Sequence, residues 1–136
     1  VTVAGLGCRP GAGRDAVLAL LRDAQRGLPP FTHLAAPEFR RDAPALQEAA
    51  AALRLPLLFL GREALEQAQP FCLTHSSTAL AATGLASVAE ACALAGAGQG
   101  ARLLRPRMAG AGVTCAVAQC AAGAGAAAMG AAGSGA

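Results

Sequence analysis

Glycines and arginines crowd the start of the chain, where Gly5-Leu6-Gly7-Cys8-Arg9-Pro10-Gly11-Ala12-Gly13-Arg14 follows a short apolar stretch and leads into a helical pattern. Glycine lets the backbone approach a ligand closely. A helix N-terminus presents unpaired N–H groups and the positive end of its dipole, and guanidinium adds charge, so this order of residues suits a carboxylate or phosphate. The common nucleotide motifs are not met. A dinucleotide fingerprint beginning at Gly5 requires glycine where Pro10 stands, and a Walker A loop requires a lysine, which the chain lacks altogether. Beside the ligand-contacting reading of Gly5, Gly7, Cys8 and Arg9 stands a simpler one, a tight strand-to-helix turn whose glycines serve conformation alone.

Other polar residues also have two employments. Asp42, just ahead of Pro44, has the spacing of a helix N-cap. Ser87 and Glu90 form the S-x-x-E pattern of a capping box at the head of an apolar helix. Thr74-His75-Ser76-Ser77-Thr78 sets a histidine among hydroxyls, but no G-x-S-x-G elbow is present, and such clusters commonly cap helices. His33 falls in a strand pattern and reads as structural. Arg102, Arg105 and Arg107 either guard an edge strand or recognise carboxylates. No catalytic residue is singled out.

The elements that must hold these residues follow from the apolar pattern. Val1 to Cys8 reads as a buried strand, and Arg14 to Arg26 as a helix with Val17, Leu20, Leu21, Ala24 and Leu28 on one stripe. Thr32 to Phe39 is expected as a second strand, a helix opening at Asp42 and Pro44 turns Leu46, Ala49, Ala50 and Leu53 inward, and Pro56 to Gly61 is a third strand. Gln67 to Gly84 carries a loop at Pro70 and a short helix around Thr78 to Ala82, followed by a helix from Val88 to Ala95. Arg102 to Arg105 and Gly112 to Ala118 are expected as closing strands joined by a hairpin at Pro106 to Gly110. The result is an α/β fold, a three-layer α/β/α sandwich around a mixed, mostly parallel sheet of about five strands. Residues 1–120 form that domain, and Ala121 to Ala136 is a Gly/Ala-rich tail, expected to be flexible.

Composition narrows the function classes. All eleven basic residues are arginine and the net charge is +3, without a basic stripe or interleaved aromatics, which argues against nucleic-acid binding. The cysteines at 8, 72, 92, 115 and 120 make an odd number without a C-x-x-C pair, so neither a disulfide framework nor a zinc site is expected. Reduced thiols and a chain that opens on a strand pattern suggest a cytoplasmic protein. The uncharged stretch from Met108 is too rich in glycine and too poor in large apolar side chains for a membrane span.

Gly5-Leu6-Gly7-Cys8-Arg9, Gly84-Leu85-Ala86-Ser87-Val88-Ala89-Glu90-Ala91 and Val113-Thr114-Cys115-Ala116-Val117-Ala118 together resemble the CobE / CbiG C-terminal domain family of cobalamin biosynthesis. The resemblance spans the chain to about Gln119. It adds Arg40, Asp42, Ser87, Glu90 and Thr114 to Gly5, Gly7, Cys8 and Arg9 as candidate ligand-binding residues. Arg40 stands where the family usually carries lysine and Ala43 where it carries glutamate. A cationic role survives that exchange, but an acid–base role needing a neutral amine does not. The resemblance implies the standalone CobE type: accessory binding or carrying of a polycarboxylate, precorrin-type corrinoid intermediate, with other corrin-pathway enzymes as partners; no cofactor or metal is expected. A hydrolase acting on a precorrin lactone with release of acetaldehyde is the alternative. A small phosphate- or nucleotide-binding module is a third reading, outside the family.

Overall fold

A computed structural model describes residues 1–120, with Thr78 by its backbone alone. Ala121 to Ala136, and the flexible tail expected there, lie outside the described residues. The elements in chain order are β1 (Thr2–Cys8), α1 (Arg14–Gln25), β2 (His33–Pro37), α2 (Pro44–Leu53), β3 (Leu57–Leu60), α3 (Arg62–Ala68), α4 (Ser77–Thr83), α5 (Ala89–Ala97), β4 (Arg102–Ala109) and β5 (Val113–Gln119). The sheet order is β3-β2-β1-β5-β4. β1 pairs parallel with β2 and β2 with β3, while β5 runs antiparallel between β1 and β4, so the sheet is mixed as expected.

Each face of the sheet buries its own cluster. On one side Val17, Leu20 and Leu21 of α1 and Leu46 and Ala49 of α2 pack on Ala4, Leu6, Leu34, Cys115 and Val117. On the other, Leu65 of α3 and Ala89, Ala93 and Leu94 of α5 pack on Val3, Ala35, Ala116 and Ala118. α5 is buried nearly all round, and its small residues let it lie close against the sheet. Gly5 makes that approach possible, because a Cβ there would run into the Ala89 carbonyl oxygen and the Ala93 nitrogen, with Ala93 Cα at 2.9 Å.

Several expectations are corrected. β2 ends at Pro37, and a 3-10 turn takes up Glu38–Arg40. α3, unforeseen, supplies Leu65 to the core. The closing hairpin turns at Gly110 to Gly112 rather than at Pro106 to Gly110, with Gly110 N–H donating to the Val113 carbonyl. Pro106 lies inside β4, an edge strand whose register slips between Leu103 and Arg105 and again between Arg105 and Met108. An edge ladder already interrupted tolerates a residue without an N–H. Among the described residues no helix is long and apolar enough to cross a membrane.

Candidate functional site

Two segments face each other beyond the carboxyl ends of β1 and β2. The first is the turn after β1, in which Arg9 N–H donates to the Gly112 carbonyl and Ala12 N–H to the Arg9 carbonyl, with Gly11 at φ +86°. Only there does the glycine run need a left-handed backbone. Gly5 and Gly7 lie within β1 and pair with Ala116 and Thr114 of β5, so they are not part of the turn. The second segment is the link from β2 to α2, tightened by Arg41 N–H to Glu38 O and Ala43 N–H to Arg40 O, both 3.0 Å. Between them opens a cleft of about 400 Å³ lined by Arg9, Pro10, Gly11 and Ala12 on one side and Phe39, Arg40, Asp42, Ala43 and Pro44 on the other.

Arg40 joins the two segments. Its Nε donates to the Cys8 carbonyl at 2.8 Å, and its guanidinium lies over the Phe39 ring, 5.1 Å from the centroid. Among the described residues neither Arg9 nor Arg40 has a carboxylate within 4.0 Å, as holds also for Arg22, Arg54, Arg102, Arg105 and Arg107; what sets the two apart is that both line this cleft. The neighbouring Arg41 stacks on Phe59 and bonds Glu38. Burial pushes the half-buried Cys8 thiol up from its usual pKa, against the opposing pull of the Arg40 charge. Asp42 does not cap α2: Ala43 holds the N-cap position, and the cap has no side-chain hydrogen bond.

The remaining candidates gather on the α5 side of the sheet. Thr114 Oγ1 reaches the Gly7 carbonyl at 3.5 Å, and a Cβ on Gly7 would meet that hydroxyl at 2.7 Å and Val88 Cγ1 at 3.5 Å. Ser87 and Glu90 form no capping box. α5 begins after Val88, without a side-chain cap, and Ser87 Oγ donates to Glu90 Oε1 at 3.4 Å. The Glu90 carboxylate, fully buried, instead accepts the N–H groups of Leu73 (2.7 Å), Thr74 (2.8 Å) and Arg107 (2.9 Å) and the Thr74 hydroxyl (2.9 Å). Burial works to raise its pKa, and the bonds from Thr74, Arg107 and Leu73 outweigh that and leave it below the ordinary value. Glu90 therefore fastens the Leu73–Thr74 segment to β4.

The hydroxyl cluster is structural too, since Ser76 Oγ caps α4 by accepting from Ala79 N–H at 3.1 Å. His33 Nδ1 lies 2.8 Å from Thr32 Oγ1. Arg105 donates through Nε to the Ala24 carbonyl at 2.8 Å and through Nη2 to the Arg26 carbonyl, serving the open C-terminus of α1. Of the residues singled out in the sequence, the structure thus brings Arg9, Arg40 and Asp42 into one cleft with Cys8 behind it. It places Gly5, Gly7, Ser87, Glu90 and Thr114 in or against β1 and α5. Phe39 was overlooked as a lining residue. Its trace in the sequence is a large apolar side chain between Glu38 and Arg40, and it is 42% exposed. Among the described residues no group of three histidines, cysteines or carboxylates gathers to hold a metal ion.

Fold and cleft together define a three-layer α/β/α domain whose mixed sheet opens beyond the carboxyl ends of its parallel strands, where ligands of such sheets bind. The model of the cobalamin synthesis G C-terminus family matches residues 2–118. The chain belongs to that family. Among solved structures it is similar to CobE, a protein from the cobalamin (vitamin B12) biosynthetic pathway, at 35% identity and a TM-score of 0.80 over 87% of this chain and 89% of that one. It is also similar to the cobalamin biosynthesis protein ChiG from Agrobacterium tumefaciens str. C58, at 43% identity and a TM-score of 0.73 over 89% of this chain and 99% of that one. No curated protein matches it.

Proposed function

We propose that the protein serves cobalamin biosynthesis by binding and carrying a polycarboxylate corrinoid intermediate, seated on the cleft between the turn after β1 and the Phe39–Pro44 segment. The observation that carries this reading is the pair Arg9 and Arg40, two guanidiniums facing one cleft without a carboxylate partner among the described residues. A corrinoid is a partly apolar macrocycle fringed with acetate and propionate arms. Guanidinium suits those carboxylates, and Phe39 offers apolar surface beside them. Arg40 is held at Nε by Cys8, which leaves the far end of its guanidinium for the ligand. A cleft of about 400 Å³ accepts one edge of such a macrocycle rather than the whole. A ligand held by an edge remains accessible to the next enzyme of the pathway, as a carrier requires.

The hydrolase alternative draws no support from the cleft, because Asp42 is the one carboxylate among its lining residues and no histidine or thiol stands beside it there. The test is a titration of purified protein with cobyrinic acid, a corrinoid whose peripheral arms are all carboxylates, followed by visible spectrum and by product mass. Binding without a change in mass, weakened about tenfold or more in Arg9→Ala and Arg40→Ala, is the expected result. Release of a fragment would replace the carrier with an enzyme, and affinity indifferent to both substitutions would move the site elsewhere.

A further inference from the structure

Among the described residues the exposed Asp42 carboxylate has no hydrogen-bond or ion-pair partner. A carboxylate two residues ahead of a helix ordinarily caps it or pairs with a nearby arginine, and Asp42 does neither. The N-cap of α2 has no side-chain bond, and no arginine among the described residues lies within 4.0 Å of the Asp42 carboxylate despite Arg40 and Arg41 next to it in sequence. Its backbone is not free to drift, because Ala43 N–H is bonded to the Arg40 carbonyl and the Gln47 amide donates to the Arg41 carbonyl at 2.8 Å. The side chain lines the same cleft as Arg9 and Arg40. An acceptor-only group in a cleft otherwise built to receive anions repels a ligand edge that is wholly carboxylate. It attracts one that also offers a hydrogen-bond donor.

We infer that Asp42 is a specificity-determining residue which selects, among corrinoids, an edge where a carboxylate lies beside a neutral donor such as an arm amide or a hydroxyl. Arg9 and Arg40 take the carboxylate, and Asp42 accepts from the donor. This rests on the corrinoid-binding reading and adds to it the degree of amidation that the cleft prefers.

The test compares two probes, cobyrinic acid and the monocarboxylic acids obtained by mild acid hydrolysis of cyanocobalamin, in which amide arms surround one carboxylate. Each is titrated at low salt into wild type, Asp42→Ala, Asp42→Asn and Arg9→Ala, with melting temperatures taken alongside to show that the variants are folded. Asp42→Ala should bind the mixed probe about tenfold more weakly and cobyrinic acid several-fold more tightly. Asp42→Asn, which keeps an acceptor oxygen and loses the charge, should keep more affinity for the mixed probe than Asp42→Ala does. If Asp42→Ala shifts both probes by the same factor, or neither, while Arg9→Ala weakens both, the selectivity inference is wrong and the carboxylate site stands. If wild type binds neither probe, both fall; if wild type binds but Arg9→Ala changes nothing, the site lies elsewhere and the Asp42 inference falls with it.

Discussion

Replacing Glu90 offers the sharpest check on how this fold is held. Its carboxylate, itself buried, takes the N–H groups of Leu73, Thr74 and Arg107 from positions 16 or 17 residues away in either direction, on partly exposed segments. Glu90→Ala strips all three of their acceptor, and at about 1 kcal/mol for each charge-assisted hydrogen bond lost the cost is ~3 kcal/mol before any cavity is counted. Glu90→Gln is the cleaner change. One oxygen remains for Leu73 and Thr74, while the new NH2 faces the Arg107 N–H and cannot accept from it, for a loss of about 1–2 kcal/mol. In a domain of this size that lowers the melting temperature by roughly 5–10 °C. Because the folded-state pKa of Glu90 lies below its ordinary value of 4.5, the unfolded chain takes up the proton more readily. The stabilisation is complete above that ordinary value and is lost as pH falls through the folded-state pKa, so the gap between wild type and Glu90→Gln should close in acid. Thermal melts by circular dichroism at pH 7 and in acid measure this, with hydrogen exchange at the Arg107 amide as the local readout and exposed Glu66→Gln as the control. Equal melting temperatures at pH 7 with unchanged protection of the Arg107 amide would refute the latch.

Three further outcomes follow from packing. Gly5→Ala pushes a Cβ into the backbone of α5 at Ala89 and Ala93, so it should cost about 3 kcal/mol or more in chemical denaturation, far beyond the ordinary effect of a surface alanine. Gly7→Ala meets the Thr114 hydroxyl at 2.7 Å; a loss of about 1–2 kcal/mol that is partly recovered in the double variant with Thr114→Ala would locate the strain at that contact, and strict additivity would deny it. Cys92 and Cys115 are fully buried, and burial raises both thiols, Cys115 to about 12, so native protein treated with iodoacetamide at pH 8 should be labelled at half-buried Cys8 long before either, as followed by peptide mass spectrometry.

What the sequence disclosed was mostly periodic. The stripe Val17-Leu20-Leu21-Ala24 and the run Leu57 to Leu60 announce α1 and β3 without reference to anything distant, and alternating strands and helices imply the layered sheet. What stayed hidden depends on partners remote in the chain. Ser87-x-x-Glu90 has the local form of a cap, and nothing within it tells that Glu90 reaches instead toward Leu73 and Arg107. Gly5 and Gly7 suggested a loop because close approach of α5 to a strand produces the same residue choice as a tight turn. Pro106 suggested a hairpin because a proline is tolerated in a strand only at an edge, and which strand is an edge is decided by topology. Of the cleft, Arg9 was legible as a cation beside a turn. Its apposition to Arg40 and Asp42 arises from the crossover that brings β2 alongside β1.

The place of β5 in the sheet has a consequence for synthesis on the ribosome. β1 is the central strand, and one of its neighbours, β2, emerges soon after it, so that the parallel half β1-β2-β3 is complete once Leu60 is free. The other neighbour, β5, is the last of the described elements to appear, with Thr2 paired to Gln119 and Cys8 to Val113. Until then the middle of the sheet is an open edge carrying Val3, Ala4 and Leu6, without the bulges and arginines that guard β4. Nascent chains stalled or truncated before Val113 expose that edge to one another, and their danger is aggregation rather than mere instability.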